Sequence, residues 1–326
     1  MRTIILLLLI LAMPVAAAAK SDVEKLKDPV NHPREAIHRM AAVLYQGDAA
    51  VDDLIALLRE TPSLVDPSAD QRLWAAKVTA MNILGELKAQ KVLGLLQEIL
   101  EYAEDPSAIT NAARTIGNIG GSRAFASLKQ VLQNARKDRY TNNEERKRAV
   151  ILALGLCEDK RAIPLLIDEL NNLNNVQRTR IYAAGSLGLL GNVKGLDVAT
   201  SGLDSDDPYV YVAALRALGL IGSPASVPAL IRKTAPDVSY FERKTAGLAL
   251  VQIRTAQLTG DEQVEYLFSQ ILANPRTTEF IQWGTLKLKK LNTPGARKAL
   301  QRLADEDSED FSDAKHAAKM RLKTMR

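Results

Sequence analysis

A short string with a glycine near its end recurs along the chain: Asn111–Gly120, Ala149–Cys157, Ala183–Gly191 and Ala213–Gly222 are versions of one another. With that glycine as anchor, equivalent positions fall at Tyr45, Gly85, Gly117, Gly155, Gly188, Gly219, Val251, Lys289 and Lys323, spaced 31 to 40 residues apart. Self-similarity at about 35 residues marks a two-helix solenoid, in which no repeat can bury its apolar face alone and each must stack on its neighbours.

The pattern inside each repeat is helical. Leu84, Ile116, Leu154, Leu187 and Leu218 precede the anchor by one; Ala80, Ala112, Val150, Ala183 and Ala214 precede it by five; Leu87, Ile119, Cys157, Leu190 and Ile221 follow it by two. Those offsets are i, i+4 and i+7, one face of a helix. The small residues let neighbouring helices approach, and the leucines fill the space between them. A second apolar set begins eight to eleven residues after the anchor, as in Leu93/Leu96, Phe125/Leu128, Ile163/Leu166 and Val227/Leu230. Turns as short as Gly120–Ser122 make the two helices antiparallel. Asp105-Pro106 and Asp207-Pro208 supply an N-cap acid followed by a proline at the first helical position. The expected fold is all-α: an α-solenoid of about eight antiparallel helix pairs over residues 33–326 with a terminal capping helix. Helices packed at the usual spacing predict an array about 70 to 90 Å long, its concave face lined by second helices.

The segment Asp207–Ile231 resembles a HEAT repeat of the phycobilisome-lyase-like subtype. The basic residue that the family places eight before the anchor is matched by Lys77, Lys147, Arg180 and Arg243, and its capping acid by Asp105 and Asp207. The other repeats depart from it, with Tyr211 in the basic slot and Asn143, Val176 and Ser239 in the acidic one. The resemblance covers roughly residues 33 to 304 and implies a fold that hosts many roles.

At the N-terminus, Arg2, the apolar run Ile4–Met13, Pro14 and the small residues Ala16–Ala19 read as a secretory signal peptide of residues 1–19, followed by a linker over 20–32. Export to the periplasm or the medium is the expectation, with no transmembrane segment in the mature chain, since the apolar run is shorter than the roughly 20 residues a spanning helix needs. Of 326 residues 43 are basic and 38 acidic, a balance too mild to call for nucleic acid.

One cysteine excludes a disulfide framework. Cys157 stands where other repeats carry Leu or Ile, so it reads as a core residue. His32 and His38 are six apart and fall on different helix faces, and His316 is remote in sequence, so no metal ligand set is expected. The iron-dependent deoxyhypusine hydroxylases, which are HEAT-like, depend on His-Glu pairs. Here the histidines precede Pro33, Arg39 and Ala317, which sets the chain apart from that class. No nucleophile elbow, phosphate loop or zinc-protease motif is present.

These features predict an exported, non-catalytic scaffold without a cofactor that holds a protein or peptide partner of the cell envelope. The alternative is an accessory subunit or lyase-like enzyme acting on a bound small molecule. The partner groove is expected on outward positions of second helices: Gln97, Glu101, Lys129, Gln133, Asp168, Asn172, Arg232 and Lys233. Arg136, Lys137, Arg139, Arg146 and Arg148 form a candidate basic lip for an anionic surface, set against a plain solvated loop.

Overall fold

The computed structural model describes residues 22–29, 33–60, 71–137, 142–275, 277–306 and 308–325. Residues 1–19, read above as a signal peptide, and His32 and Arg139 lie outside the described residues. Seventeen helices and no strand make up the described chain. Eight antiparallel pairs follow in order: α1 (Pro33–Gln46) and α2 (Val51–Arg59), α3 (Gln71–Glu86) and α4 (Leu93–Tyr102), α5 (Pro106–Ile119) and α6 (Gly121–Ala135), α7 (Asn143–Leu156) and α8 (Ala162–Asn171). Then come α9 (Gln177–Leu189) and α10 (Leu196–Ser201), α11 (Pro208–Ile221) and α12 (Val227–Arg232), α13 (Tyr240–Gln257) and α14 (Gly260–Ala273), α15 (Thr278–Leu291) and α16 (Pro294–Ala304), closed by α17 (Ser312–Lys323).

The local signals act as the chemistry requires. Asp105 accepts a hydrogen bond from the Ala108 amide at 2.7 Å and Asp207 one from the Tyr209 amide at 2.8 Å, so both cap their helices. The recurrent basic residue has a structural role in its helix. Lys77 donates to the Glu60 carbonyl, Arg180 to the Leu170 carbonyl at 2.8 Å, and Arg243 to the Pro236 and Val238 carbonyls at 2.7 Å. Each satisfies a carbonyl left over near the end of the preceding segment. Burial pushes the Lys77 ammonium below its ordinary pKa, which the nearby Glu60 only partly offsets.

First helices stack directly on first helices, and the anchor glycines show how closely. A Cβ added at Gly117, Gly155, Gly188 or Gly219 would fall 2.6 to 2.8 Å from a backbone atom of the next first helix. Ile116, Leu154, Leu187 and Leu218 beside them are fully buried. A helix with no side chain at the crossing point can lie nearer its neighbour than the bulkier second helices lie to theirs. Each repeat is therefore a wedge, narrow on the side of its first helix.

Wedges of one hand bend the array until its ends meet. The face of α17 that carries Ala314, Ala317, Ala318 and Arg321 is buried. This helix packs on α15, α16 and also on α1, where Lys323 stands over the Tyr45 ring. The array is closed on itself, where the sequence predicts one stretched over about 70 to 90 Å, and the terminal helix that ends the stack also joins its two ends. The core is divided: one buried cluster runs from Val23 to Ile253 and takes in Met320, and a second runs from Val264 to Ala318.

Candidate functional site

The closure brings charged side chains together from distant repeats. Glu86, the last residue of α3, receives Arg321 of α17 at 2.5 Å and Lys289 of α15 at 3.1 Å. Arg321 also donates to the Gln282 side chain at 3.0 Å. Burial pushes the Glu86 carboxyl up, but the charges and hydrogen bonds of Arg321 and Lys289 outweigh it and hold the group below the usual carboxylate range. A second bridge joins Lys290 to Glu158 at 2.5 Å. A third contact joins the imidazoles of His38 and His316.

Between these bridges lies a cavity of about 570 Å³, lined by the C-terminal ends of α3, α5, α7 and α15 and by Thr324 and Met325. The bridges cross the interior between first helices, so the first helices form the inner layer and the second helices the outer one. Lys88, Glu158 and Asn292 all take the left-handed conformation at its rim, with φ of 53°, 57° and 49°. Glycine is the usual residue at such helix ends, as Gly120 is in the same lining. Glu158 has a use for its side chain, the bridge to Lys290. Cys157 also lines the cavity, 6% exposed, with its thiol 3.1 Å from the Leu154 carbonyl and its pKa raised by burial.

The predicted groove does not face this cavity. Gln97 and Glu101 lie on α4, Lys129 and Gln133 on α6, Asp168 on α8 with Asn172 just beyond it, and Arg232 on α12 with Lys233 just beyond it. These are second helices, which the wedge shape puts outside, so the eight residues lie on the convex layer. Several are already engaged: Gln97 bonds Glu101 at 3.1 Å and Ser127 at 2.6 Å, and Lys233 stands over the Tyr211 ring.

The basic lip is also dispersed. Arg146 is 1% exposed and donates to the Leu100 carbonyl at 2.7 Å and the Ala103 carbonyl at 2.5 Å, closing the end of α4. Arg148 pairs with Glu145, and Arg136 with the buried Glu169 at 2.6 Å. Of the described members only Lys137 is a plain exposed cation in the loop. The run reads as a loop in sequence because its charges mask a helix start, with Asn143, Glu144 and Glu145 in the first turn of α7.

Sequence reasoning missed Glu86 and the histidine contact, because nothing local signals a partner more than 200 residues away. It also missed an apolar edge. Tyr102 ends α4, Leu173 and Val176 lie between α8 and α9, Tyr209 opens α11, and Tyr240 and Phe241 open α13. All six are 50% to 81% exposed, and all stand where a second helix hands over to the next first helix. Arg178 lies over the Tyr209 ring at 5.1 Å.

Residues 172–251 match the family model for HEAT repeats. The chain is 28% identical to human deoxyhypusine hydroxylase over 156 residues, 45% of this chain and 49% of that protein, so the match spans about half of the relative's length. Among solved structures, human deoxyhypusine hydroxylase in complex with glycerol aligns at 20% identity and a TM-score of 0.32, covering 72% of this chain and 85% of that one. An engineered protein aligns at 17% identity and a TM-score of 0.32, covering 94% of each chain. The expectation that the chain is not an enzyme is corrected by the sequence relative, which is one. Among the described residues no group of three or more His, Cys, Asp or Glu side chains gathers, and His38 and His316 contact each other without joining such a group. Residues 172–251 thus match HEAT repeats, and the described chain is an all-α solenoid of HEAT-like helix pairs.

Proposed function

We propose that this is an exported protein of the cell envelope that holds a protein or peptide partner along the edge carrying the exposed apolar residues. The observation behind the reading is the row itself. Tyr209, Tyr240 and Phe241 open successive first helices with their rings in water, and exposed apolar surface of that kind marks interaction sites. Tyrosines also give broad contact at small conformational cost, which is why they recur in binding surfaces. Met1–Ala19 supports export by its pattern, and no described helix is long and apolar enough to cross a membrane.

The test is site-specific photo-crosslinking in cells. A photoreactive residue at Tyr209 or Tyr240 is expected to trap one defined partner, and the same residue at Lys129 on the outer layer none. Trapping from Lys129 alone would move the interface to the second helices. N-terminal sequencing of the purified protein is expected to begin at Lys20; a chain retaining Met1 would remove the export half of the reading.

A second reading rests on the closure cavity. Its volume of about 570 Å³ is in the range of small-molecule sites. An accessory or lyase-like enzyme would place its ligand there, among Glu86, Lys289, Lys290 and Glu158. Loss of a ligand-induced rise in melting temperature in Lys290→Ala would favour it over the edge.

A further inference from the structure

The stack of first helices opens between α13 and α15, where the buried core divides. The opening is a cleft of about 260 Å³ with Leu220, Phe241, Leu248 and Phe280 among its walls. At its rim Lys244 is paired with Glu279 at 3.0 Å. Arg216 also lines the cleft and is exposed. It lies close enough to lower the Glu279 pKa through its charge, and among the described residues it makes no ion pair within 4.0 Å. The rim therefore carries two cations against one carboxylate, and one cation is unspent.

We infer that this cleft receives the C-terminal residue of a polypeptide partner, a large apolar side chain lying against Phe241, Leu248 and Phe280 while its terminal carboxylate pairs with Arg216. Charge complementarity argues for a carboxylate: a desolvated apolar wall beside a free guanidinium favours a ligand that carries both characters on adjacent atoms. Room for about one aromatic side chain argues for a single residue. Phe241 argues for a polypeptide, because the same ring lines the cleft and stands in the apolar edge, 50% exposed. A chain lying along that edge would reach the cleft at its end. This inference rests on the edge reading for its direction, but its chemistry is tested separately.

The probe is a pair of short peptides, acetyl-Ala-Leu-Phe with a free carboxylate and the same peptide as its C-terminal amide, titrated calorimetrically into the full-length purified protein. The free acid is expected to bind at least tenfold more tightly than the amide. Arg216→Gln, which is exposed and should fold normally, is expected to bring the two to parity. Thr245→Phe, which fills the cleft from α13, is expected to abolish both, and Lys298→Ala, at an exposed position on α16 outside the cleft lining, is expected to change neither. Equal binding of acid and amide to the unmodified protein, no binding of either, or a preference that survives Arg216→Gln would overturn the inference. None of those results bears on crosslinking from Tyr209, so failure here and failure of the edge reading are distinguishable.

Discussion

His38 of α1 and His316 of α17, 278 residues apart in sequence, face each other with their Nε2 atoms 2.9 Å apart. The ring planes are nearly perpendicular, at 85°. His316 Nδ1 lies 2.6 Å from the Ser312 carbonyl, an acceptor, so this nitrogen carries the proton and Nε2 of the neutral ring is bare. His38 Nε2 must then donate. If both rings are protonated, two N–H groups point at each other and the bond is lost.

The seam is therefore expected to weaken in acid. Burial, then the charges of His316 and Lys319 on the facing helix, hold the His38 pKa below its ordinary value, while on its own helix Glu35 is engaged with Arg39. With the folded pKa depressed, the unfolded chain takes up the proton first. The contribution is present above about pH 6.5, the unperturbed histidine value, and is lost as pH falls through the folded value. Thermal melts between pH 8 and pH 5 should show a falling midpoint that is flattened in His38→Gln. An unchanged slope in that variant would show that the seam does not titrate.

Glu86 is the larger fastener, because its side chain is only 19% exposed and meets Arg321, which is 8% exposed. Glu86→Gln removes the charge from between two cations and leaves them facing each other. Breaking one partner of such a pair costs about 3 kcal/mol. Urea denaturation should show that loss at pH 7. The folded pKa is lowered, so the carboxylate's contribution is present above its unfolded value near 4.5 and is lost as pH falls through the folded value. The stability gap between the native protein and Glu86→Gln should accordingly close in acid, and small-angle scattering of the variant should report a larger radius of gyration as the ends part.

The inner stack makes a paired prediction about glycine. Gly94 in α4 has nothing within 4 Å of an added Cβ, so Gly94→Ala should stabilise by about 0.5 to 1 kcal/mol through helix propensity. Gly188 in α9 has the Ile221 backbone 2.6 Å from the same position. Gly188→Ala should destabilise by about 1 to 3 kcal/mol, as overpacking does. Opposite signs for one chemical change would confirm that close approach, not turn formation, is what the repeat glycine provides.

Much of this architecture is legible in the chain, and the illegible part has a physical cause. The spacing of Ile116, Leu154, Leu187 and Leu218 gives the helices, the pairing and the number of repeats, because burial of one helix face is a local and periodic requirement. Curvature is not local. It is the sum of small differences in spacing between inner and outer layers, and those depend on contacts such as Gly155 on Ser186 that no single repeat displays. Reading Gly117 and Gly219 as crossing points with first helices inside would have reversed the assignment of the faces. The pairing of Glu86 with Arg321 could not have been read at all, since it exists only once the ends have met.

Cys157 tests the core against the cavity. It holds a position filled elsewhere by Ile119 and Ile221, yet it also borders the space between α7 and α15. Cys157→Val should change stability by less than about 1.5 kcal/mol, as near-isosteric swaps do. A variant that melts normally but loses ligand or partner binding would assign the thiol to the cavity.

Arg146 separates a binding lip from a structural strut. Its guanidinium reaches the Leu100 and Ala103 carbonyls from α7, so Arg146→Met leaves two buried acceptors without this donor while preserving most of the side-chain volume. Removing a buried cation recovers some desolvation energy, which reduces the loss to about 2 kcal/mol. Lys137→Met, at an exposed position in the same basic run, should stay within about 0.5 kcal/mol. If the run served to bind an anionic surface, both variants would weaken that binding at unchanged stability. If Arg146 fastens α7 to the end of α4, only Arg146→Met lowers the denaturation midpoint, and it does so with no anion present.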